Sequence, residues 1–136
     1  MIGKDVNKTV ISSDLKAARE LEEHLLREVA DQGYSEAAVF AIKLSLEEGL
    51  NNAIRHGNRY DPRKQVEVTY DINERFTEII ITDQGEGFNP VAVPDPTADE
   101  NLEKPDGRGI MLMKAYMDRI EYNGRGNQIH MVKCNT

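Results

Sequence analysis

Apolar residues recur every three or four positions in two stretches of the chain. The first stretch, behind the N-cap candidates Ser12, Ser13 and Asp14, predicts a helix over about residues 14–32. The second stretch follows Ser35 and predicts a helix that ends at Gly57-Asn58. The predicted buried residues are Leu15, Ala18, Leu21, Leu25, Leu26 and Val29 in the first helix and Val39, Ala41, Ile42, Leu44, Leu46, Leu50, Ala53 and Ile54 in the second.

Strand-like patterns surround these helices. The predicted strands are residues 5–11, 66–72, 76–82, 118–122 and 128–133. A short connection over 73–75 joins the second strand to the third, and a glycine-containing connection over 123–127 joins the last two. Connections this short predict two antiparallel hairpins.

Periodicity disappears from Asn89 to Asp106, where four prolines and several acids interrupt the pattern. A run of this length in a small domain is either a functional lid or a disordered insertion. A short apolar helix is predicted after it, over residues 110–117. The complete order predicts an α+β fold: a two-layer α/β sandwich with a mixed, mostly antiparallel sheet and helices on one face.

Composition narrows the class of protein. The 136 residues are typical of one globular domain over residues 1–136, and the net charge of −7 with a pI near 5.0 argues against a nucleic-acid or anionic-membrane surface. The single cysteine, Cys134, cannot form an internal disulfide, and no apolar run has transmembrane length. These features, with an N-terminus unlike a signal peptide, predict a cytoplasmic protein without direct nucleic-acid or membrane binding.

The end of the second predicted helix carries polar residues at helical spacing. Glu48 and Asn52 lie one turn apart on one face, and Arg55 and His56 follow in the next turn. An acid, an amide oxygen and two basic groups suit a metal-bridged polyphosphate, since amide oxygens ligate hard cations and basic groups meet phosphate oxygens. The alternative is a solvated helix face that ends at Gly57.

Two glycine motifs follow. Asp83-Gln84-Gly85-Glu86-Gly87 comes directly after a strand of near-continuous isoleucine. Its carboxylate could accept a hydrogen bond from an exocyclic amine such as that of adenine, although an ordinary glycine-rich turn has the same sequence pattern.

The second motif is Gly107-Arg108-Gly109, which directly precedes the predicted apolar helix. Glycines at a helix start expose backbone N–H groups that can bind an anion, and a flexible hinge into a core helix is the alternative.

Taken together, these motifs resemble those of the GHKL (Bergerat-fold) superfamily of ATPases and kinases. The order is a helical Glu-x-x-x-Asn, a strand-end Asp-x-Gly-x-Gly, a lid over about 89–106 and a Gly-x-Gly helix start. The resemblance covers essentially the whole chain and is greatest to anti-sigma factor serine/threonine kinases of the RsbW type. The Glu48–Gly57 helix end and the dipeptide Met117-Asp118 match that type.

The resemblance implies a role for each matching residue. Glu48 would be the general base, and Asn52 would hold Mg²⁺ through its amide oxygen. Asp83 would recognise the adenine amine, with Gly85 and Gly87 shaping the pocket, and Arg55 and His56 would contact phosphate or ribose. The phosphates would be bound by the segment of Gly107, Arg108, Gly109 and Ile110.

The same resemblance implies a function and partners. The expected activity is ATP-dependent phosphorylation of a small anti-anti-sigma (STAS-domain) protein, coupled to sequestration of a sigma factor. An ATP-gated binding module with little or no turnover is one alternative, and a detached catalytic domain of a histidine kinase is another. The histidine kinase alternative is weakened because those enzymes commonly have Asn at the position of Glu48, and because no helical phosphoacceptor segment is present. A homodimer formed through the helical layer and first strand is left open.

One position departs from the family pattern. Relatives usually carry a Gly-Thr-Thr-like sequence before the last strand, where a Thr helps to bind the adenine end, whereas this chain has Gly126-Asn127-Gln128. An amide side chain can still offer a hydrogen bond or a water bridge to the base.

Overall fold

Two helices follow the first strand in the computed structural model, which describes residues 6–85, 113–123 and 126–135. Helix α1 spans Leu15–Asp31 and is capped by the Asp14 side chain, which accepts a hydrogen bond from the backbone N–H of Lys16. Helix α2 spans Glu36–Asn52 and is capped in the same way by Ser35. Both predicted helices are therefore confirmed, with starts set by the predicted type of capping residue.

The second helix ends differently from its prediction. The α-helix stops at Asn52, and Ala53–Gly57 form a π-helical turn. The backbone N–H of Asn58 bonds to the carbonyl of Ala53 at 2.8 Å, which is the wider i to i+5 spacing. The apolar spacing continues through Ile54, so the pattern alone predicted an unbroken helix.

The five described strands form one sheet in the order β1-β2-β3-β5-β4. Each pairing between them is antiparallel, which confirms the mostly antiparallel sheet and both predicted hairpins. The bounds are β1 Asn7–Ser12, β2 Gln65–Ile72, β3 Phe76–Thr82, β4 Arg119–Tyr122 and β5 Gln128–Cys134. Because β5 pairs with β3, the start of β2, the end of β3 and the start of β5 meet at one edge of the sheet.

The core lies between the helices and one face of the sheet. Alternate residues of β2, β3 and β5 supply its sheet side: Val66, Val68, Tyr70, Ile79, Ile81, Ile129 and Met131. On the helix side, Gly49 permits close packing, since a Cβ atom there would lie 2.9 Å from Cδ1 of Ile81 and 3.2 Å from Cε of Met131. The helix therefore approaches β3 and β5 closely next to Glu48.

Several predictions fall on the segment between β3 and β4. Residues 113–116 are helical, as the predicted helix over 110–117 requires. The predicted lid over 89–106 lies outside the described residues. That residues 1–136 form a single domain stays a prediction.

Candidate functional site

Glu48 and Asn52 belong to one continuous α-helix, so the predicted one-turn spacing between them is present. Both side chains are partly buried. They lie near the end of α2, where Gly49 brings the helix down onto the sheet. The carboxylate and the carboxamide are oxygen donors of the kind that Mg²⁺ prefers, and they are held on a rigid element.

The π-helical turn carries the two basic residues. Arg55 and His56 are both exposed in it. A π-helical turn is wider than an α-helical one. The side chains of Arg55 and His56 therefore point in other directions than they would if the α-helix continued beyond Asn52. The chain then reverses toward β2 through Arg59 and Tyr60, whose φ angles of 52° and 59° lie in the left-handed region.

Asp83 lies directly after β3 and packs against the end of the π-helical turn. Its side chain is 9 % exposed, and its Oδ1 accepts a hydrogen bond of 2.8 Å from the backbone N–H of Gly85. A Cβ atom at Gly57 would overlap the Asp83 carboxyl group, and one at Gly85 would overlap the carbonyl group of Gly57. The two glycines are therefore needed for the helix end and the strand end to touch.

The departure at Gly126-Asn127-Gln128 lies beside the same carboxylate. The backbone N–H of Asp83 donates to the carbonyl of Asn127 at 2.9 Å, and the Asn127 side-chain amide donates to the carbonyl of Asp83 at 3.3 Å. Gln128 donates from its side-chain amide to Oγ1 of Thr82 at 3.0 Å. Both amides thus hold the start of β5 to the end of β3, and their contact with a base stays a prediction.

Asn58 is a fully buried polar residue at this edge of the sheet. Its Oδ1 accepts from the backbone N–H of Gln84 at 2.7 Å, and its Nδ2 donates to Oγ of Ser13 at 2.8 Å and to the carbonyl of Gln65 at 2.9 Å. The sequence indicates Asn58 only as a helix stop, since its partners are distant in the chain.

A pair of acidic residues, Glu22 and Glu47, lies between α1 and α2. Glu22 and Glu47 line a cavity of about 230 Å³, together with Arg19, Asn51 and three apolar residues. Burial, a hydrogen bond to Glu47 and repulsion from the Glu47 charge raise the pKa of Glu22 to about 7. The sequence carried a signal for the burial of Glu22, since it continues the helical spacing of Ala18, Leu25 and Val29.

The structure brings together only some of the predicted site residues. Glu48 and Asn52 share a helix face, and Gly85 binds Asp83 beside Gly57. The other predicted site residues, Gly87, Gly107, Arg108, Gly109 and Ile110, lie outside the described residues. Within the part of the chain that is described, no cluster of three or more His, Cys, Asp or Glu could hold a metal, and no helix is long and apolar enough to cross a membrane.

Residues 11–133 match the sequence profile of a family described as the histidine kinase-like ATPase domain. Among curated proteins, the chain is 28 % identical over 108 residues to the serine-protein kinase RsbW of Oceanobacillus iheyensis, covering 74 % of this chain and 68 % of that protein. It is 32 % identical over 83 residues to the anti-sigma F factor of Shouchella clausii, covering 59 % of this chain and 56 % of that protein. The chain thus spans between about half and two thirds of these relatives.

A solved structure has a similar fold. The crystal structure of the RsbU and RsbW domains of a Mycobacterium tuberculosis protein superposes with a TM-score of 0.62 at 15 % identity. The match covers 97 % of this chain and 32 % of that one. The similarity shows that the two share a fold.

Proposed function

The chain belongs to the histidine kinase-like ATPase domain family, and on that premise we propose that it is an ATP-dependent protein serine/threonine kinase of the anti-sigma type. Its proposed substrate is a STAS-type anti-anti-sigma protein, and its second partner is a sigma factor held inactive by binding. Relatives named serine-protein kinase and anti-sigma F factor support this proposal. Homodimer formation belongs to the same proposal.

The main support for the proposal is the contact between the end of α2, with the turn that follows it, and the segment directly after β3. Glu48 and Asn52 lie on one face near the end of α2, and the helix continues into a turn whose Gly57 touches Asp83. The residues proposed as general base, Mg²⁺ ligand and adenine acceptor, Glu48, Asn52 and Asp83, lie on adjoining segments, which supports the proposal.

The residues present fit ATP and Mg²⁺. When bound, ATP supplies the transferable phosphoryl group and Mg²⁺ neutralises phosphate charge. Asn52 would hold the metal through its side-chain oxygen, and Asp83 would accept a hydrogen bond from the adenine amine. The roles of Arg55, His56, Gly87 and the Gly107–Ile110 segment rest on the family resemblance.

Glu48 is the proposed general base, which takes the proton of the attacking Ser or Thr hydroxyl. Its neighbour Glu47 lines the cavity with Glu22 between the two helices. Glu47 is therefore engaged away from the Asn52 face, which supports the assignment of the base to Glu48.

The test is phosphotransfer from radiolabelled ATP to a panel of purified STAS-domain proteins. We expect Mg²⁺-dependent labelling of a Ser or Thr. Glu48→Gln should slow it by about 100-fold or more, since a positioned general base contributes 10²–10⁴ in rate. Glu47→Gln is the matched control and should keep the wild-type rate.

Other outcomes identify the alternatives. Normal ATP binding by the wild type and by Glu48→Gln, with no labelled protein, would indicate an ATP-gated binding module. Label on a histidine would indicate a histidine kinase catalytic domain. Absence of ATP binding would overturn the proposal.

A further inference from the structure

Asn58 joins three segments that are distant in the sequence. Its amide donates to Ser13, at the end of β1, and to Gln65, at the start of β2, and it accepts from Gln84, which follows Asp83. The two donated bonds and the accepted one use both ends of the amide group. Since the residue is 0 % exposed, water cannot replace these partners.

The orientation of the amide is fixed by its neighbours. Oγ of Ser13 donates its own proton to the carbonyl of Lys64 at 2.9 Å, so it can only accept from Asn58. The Gln65 partner is a carbonyl, which also only accepts. Nδ2 must therefore face Ser13 and Gln65, and Oδ1 must face the backbone N–H of Gln84.

Gln84 takes part in a second hydrogen bond, through its side chain. Its side-chain oxygen accepts from the backbone N–H of Gln65 at 2.7 Å, while the carbonyl of Gln65 accepts from Asn58. Asn58, Gln65 and Gln84 thus form a closed triangle of hydrogen bonds. The triangle fixes the backbone immediately after Asp83 relative to the start of β2.

The triangle also sets the position of the carboxylate. Gly57 immediately precedes Asn58, and its Cα faces the Asp83 carboxyl group at a distance that leaves no room for a Cβ atom. A shift of Asn58 would move Gly57 and the Asp83 loop relative to each other. The Asp83 carboxyl group would then point in a different direction.

We propose that Asn58 is a positioning residue for recognition of the nucleotide base, acting through Gln84 and Gly57 on the Asp83 carboxylate without itself contacting the nucleotide. The inference rests on the proposed ATP binding. The selectivity for the adenine amine would then depend on the buried Asn58 amide, which lies outside the Glu-x-x-x-Asn and Asp-x-Gly-x-Gly motifs.

The test compares ATP with purine riboside triphosphate, which lacks the exocyclic amine. The ratio of the dissociation constant for purine riboside triphosphate to that for ATP reports the hydrogen bond to Asp83. We expect Asn58→Ala to lower this ratio by about tenfold, the size expected for loss of one charge-assisted hydrogen bond. Affinity for purine riboside triphosphate should change much less than affinity for ATP.

Asn73 is the matched control. It also makes three side-chain hydrogen bonds, to Asp71, Arg75 and Phe76, at the opposite end of β2. Asn73→Ala should lower the melting temperature while the ratio stays at the wild-type value. Equal losses of the ratio in the two variants, or an unchanged ratio in Asn58→Ala, would overturn the inference.

A second variant covers the case in which Asn58→Ala does not fold. Gln84→Ala changes an exposed side chain and removes only the bond to Gln65, so we expect a reduction of the ratio by about two- to threefold. An unchanged ratio in Gln84→Ala would then overturn the inference. A wild-type chain that binds neither nucleotide would instead overturn the proposed function.

Discussion

Asp83 and Glu22 are equally buried, each 9 % exposed, yet their surroundings are opposite in character. The Asp83 carboxylate receives a backbone N–H from Gly85 and packs against glycine backbone. Glu22 is hydrogen-bonded to a second carboxyl group, that of Glu47, and burial together with this neighbour raises the pKa of Glu22 to about 7. Equal burial therefore does not give two carboxyl groups the same surroundings.

The difference follows from which backbone N–H groups are available in a helix and in a loop at the end of a strand. Inside α1 and α2 the backbone N–H groups are used by the helices themselves, so a buried acid between them meets only side chains. At the edge of the sheet the strands end, and loop N–H groups such as that of Gly85 become available. A carboxylate at that edge can be buried and still be supplied with a donor.

The largest expected effect comes from Asp83→Asn. Gly85 requires an acceptor at Oδ1, so the substituted amide would turn its N–H₂ group toward the amine of the base, and two donors would face each other. We expect ATP affinity to fall by about 100-fold or more, since an unpaired buried donor adds to the lost bond. Calorimetric titration measures the ATP affinity of the variant. An affinity within about threefold of wild type would contradict adenine recognition by Asp83.

Gly57→Ala should have the next largest effect. The new methyl group would overlap the Asp83 carboxyl group and force it to move. We expect a loss of stability of about 1–3 kcal/mol, as for other overpacked sites, and about tenfold weaker ATP binding. Denaturant unfolding and calorimetry measure the two effects.

Gly33→Ala is the matched control for that change. Gly33 has a φ of 80° with open space around it, so an alanine there costs stability through backbone strain alone. ATP affinity should stay at the wild-type value. Equal weakening of ATP binding in the two variants would show that general destabilisation is responsible.

Glu22→Gln tests the other carboxyl group. The folded-state pKa of Glu22 is raised from 4.5 to about 7, so the folded protein holds a proton that the unfolded chain releases between these values. Stability therefore falls as pH rises through this window, and the loss is complete above about pH 7. The glutamine variant removes this loss and should be more stable than wild type at pH 8 by about 1–3 kcal/mol.

Urea unfolding at pH 5 and pH 8 measures the difference. Glu20→Gln, at an exposed position of the same helix, is the control and should keep the wild-type pH dependence. An unchanged slope of stability against pH in Glu22→Gln would contradict the raised pKa of Glu22.

The smallest effect is expected from Asn127→Ala. Its side-chain bond to the carbonyl of Asp83 is long, at 3.3 Å, and the 2.9 Å backbone bond between the two residues survives the substitution. ATP affinity should stay within about threefold of wild type. A loss of more than about tenfold would indicate that the Asn127 side chain contacts the nucleotide directly.

The sequence predicted those parts of the molecule that depend on local pattern. The apolar stripes, the cap candidates before each helix and the short hairpin connections were sufficient for the two helices, the strands and the pairing within each hairpin. The spacing of Glu48 and Asn52 was likewise sufficient to place them on one helix face.

The features that the sequence did not predict depend on contacts between distant segments. The role of Asn58 requires Ser13 and Gln84, which lie 45 and 26 residues away, and nothing near Asn58 in the sequence indicates them. The π-helical turn occurs where the helix end meets the Asp83 loop, and an apolar stripe cannot predict that meeting.

The strand order has a consequence for how the protein is made. Asp83 is joined to Asn127, 44 residues later, and β3 acquires its second neighbour only when β5 pairs with it. A chain still growing on the ribosome can therefore complete α1, α2 and the β2–β3 hairpin, with the Asn58–Gln84 bond at its end, before β5 pairs with the other side of β3. Because ATP binds the folded site and not the unfolded chain, we expect it to stabilise the finished fold without speeding its early steps.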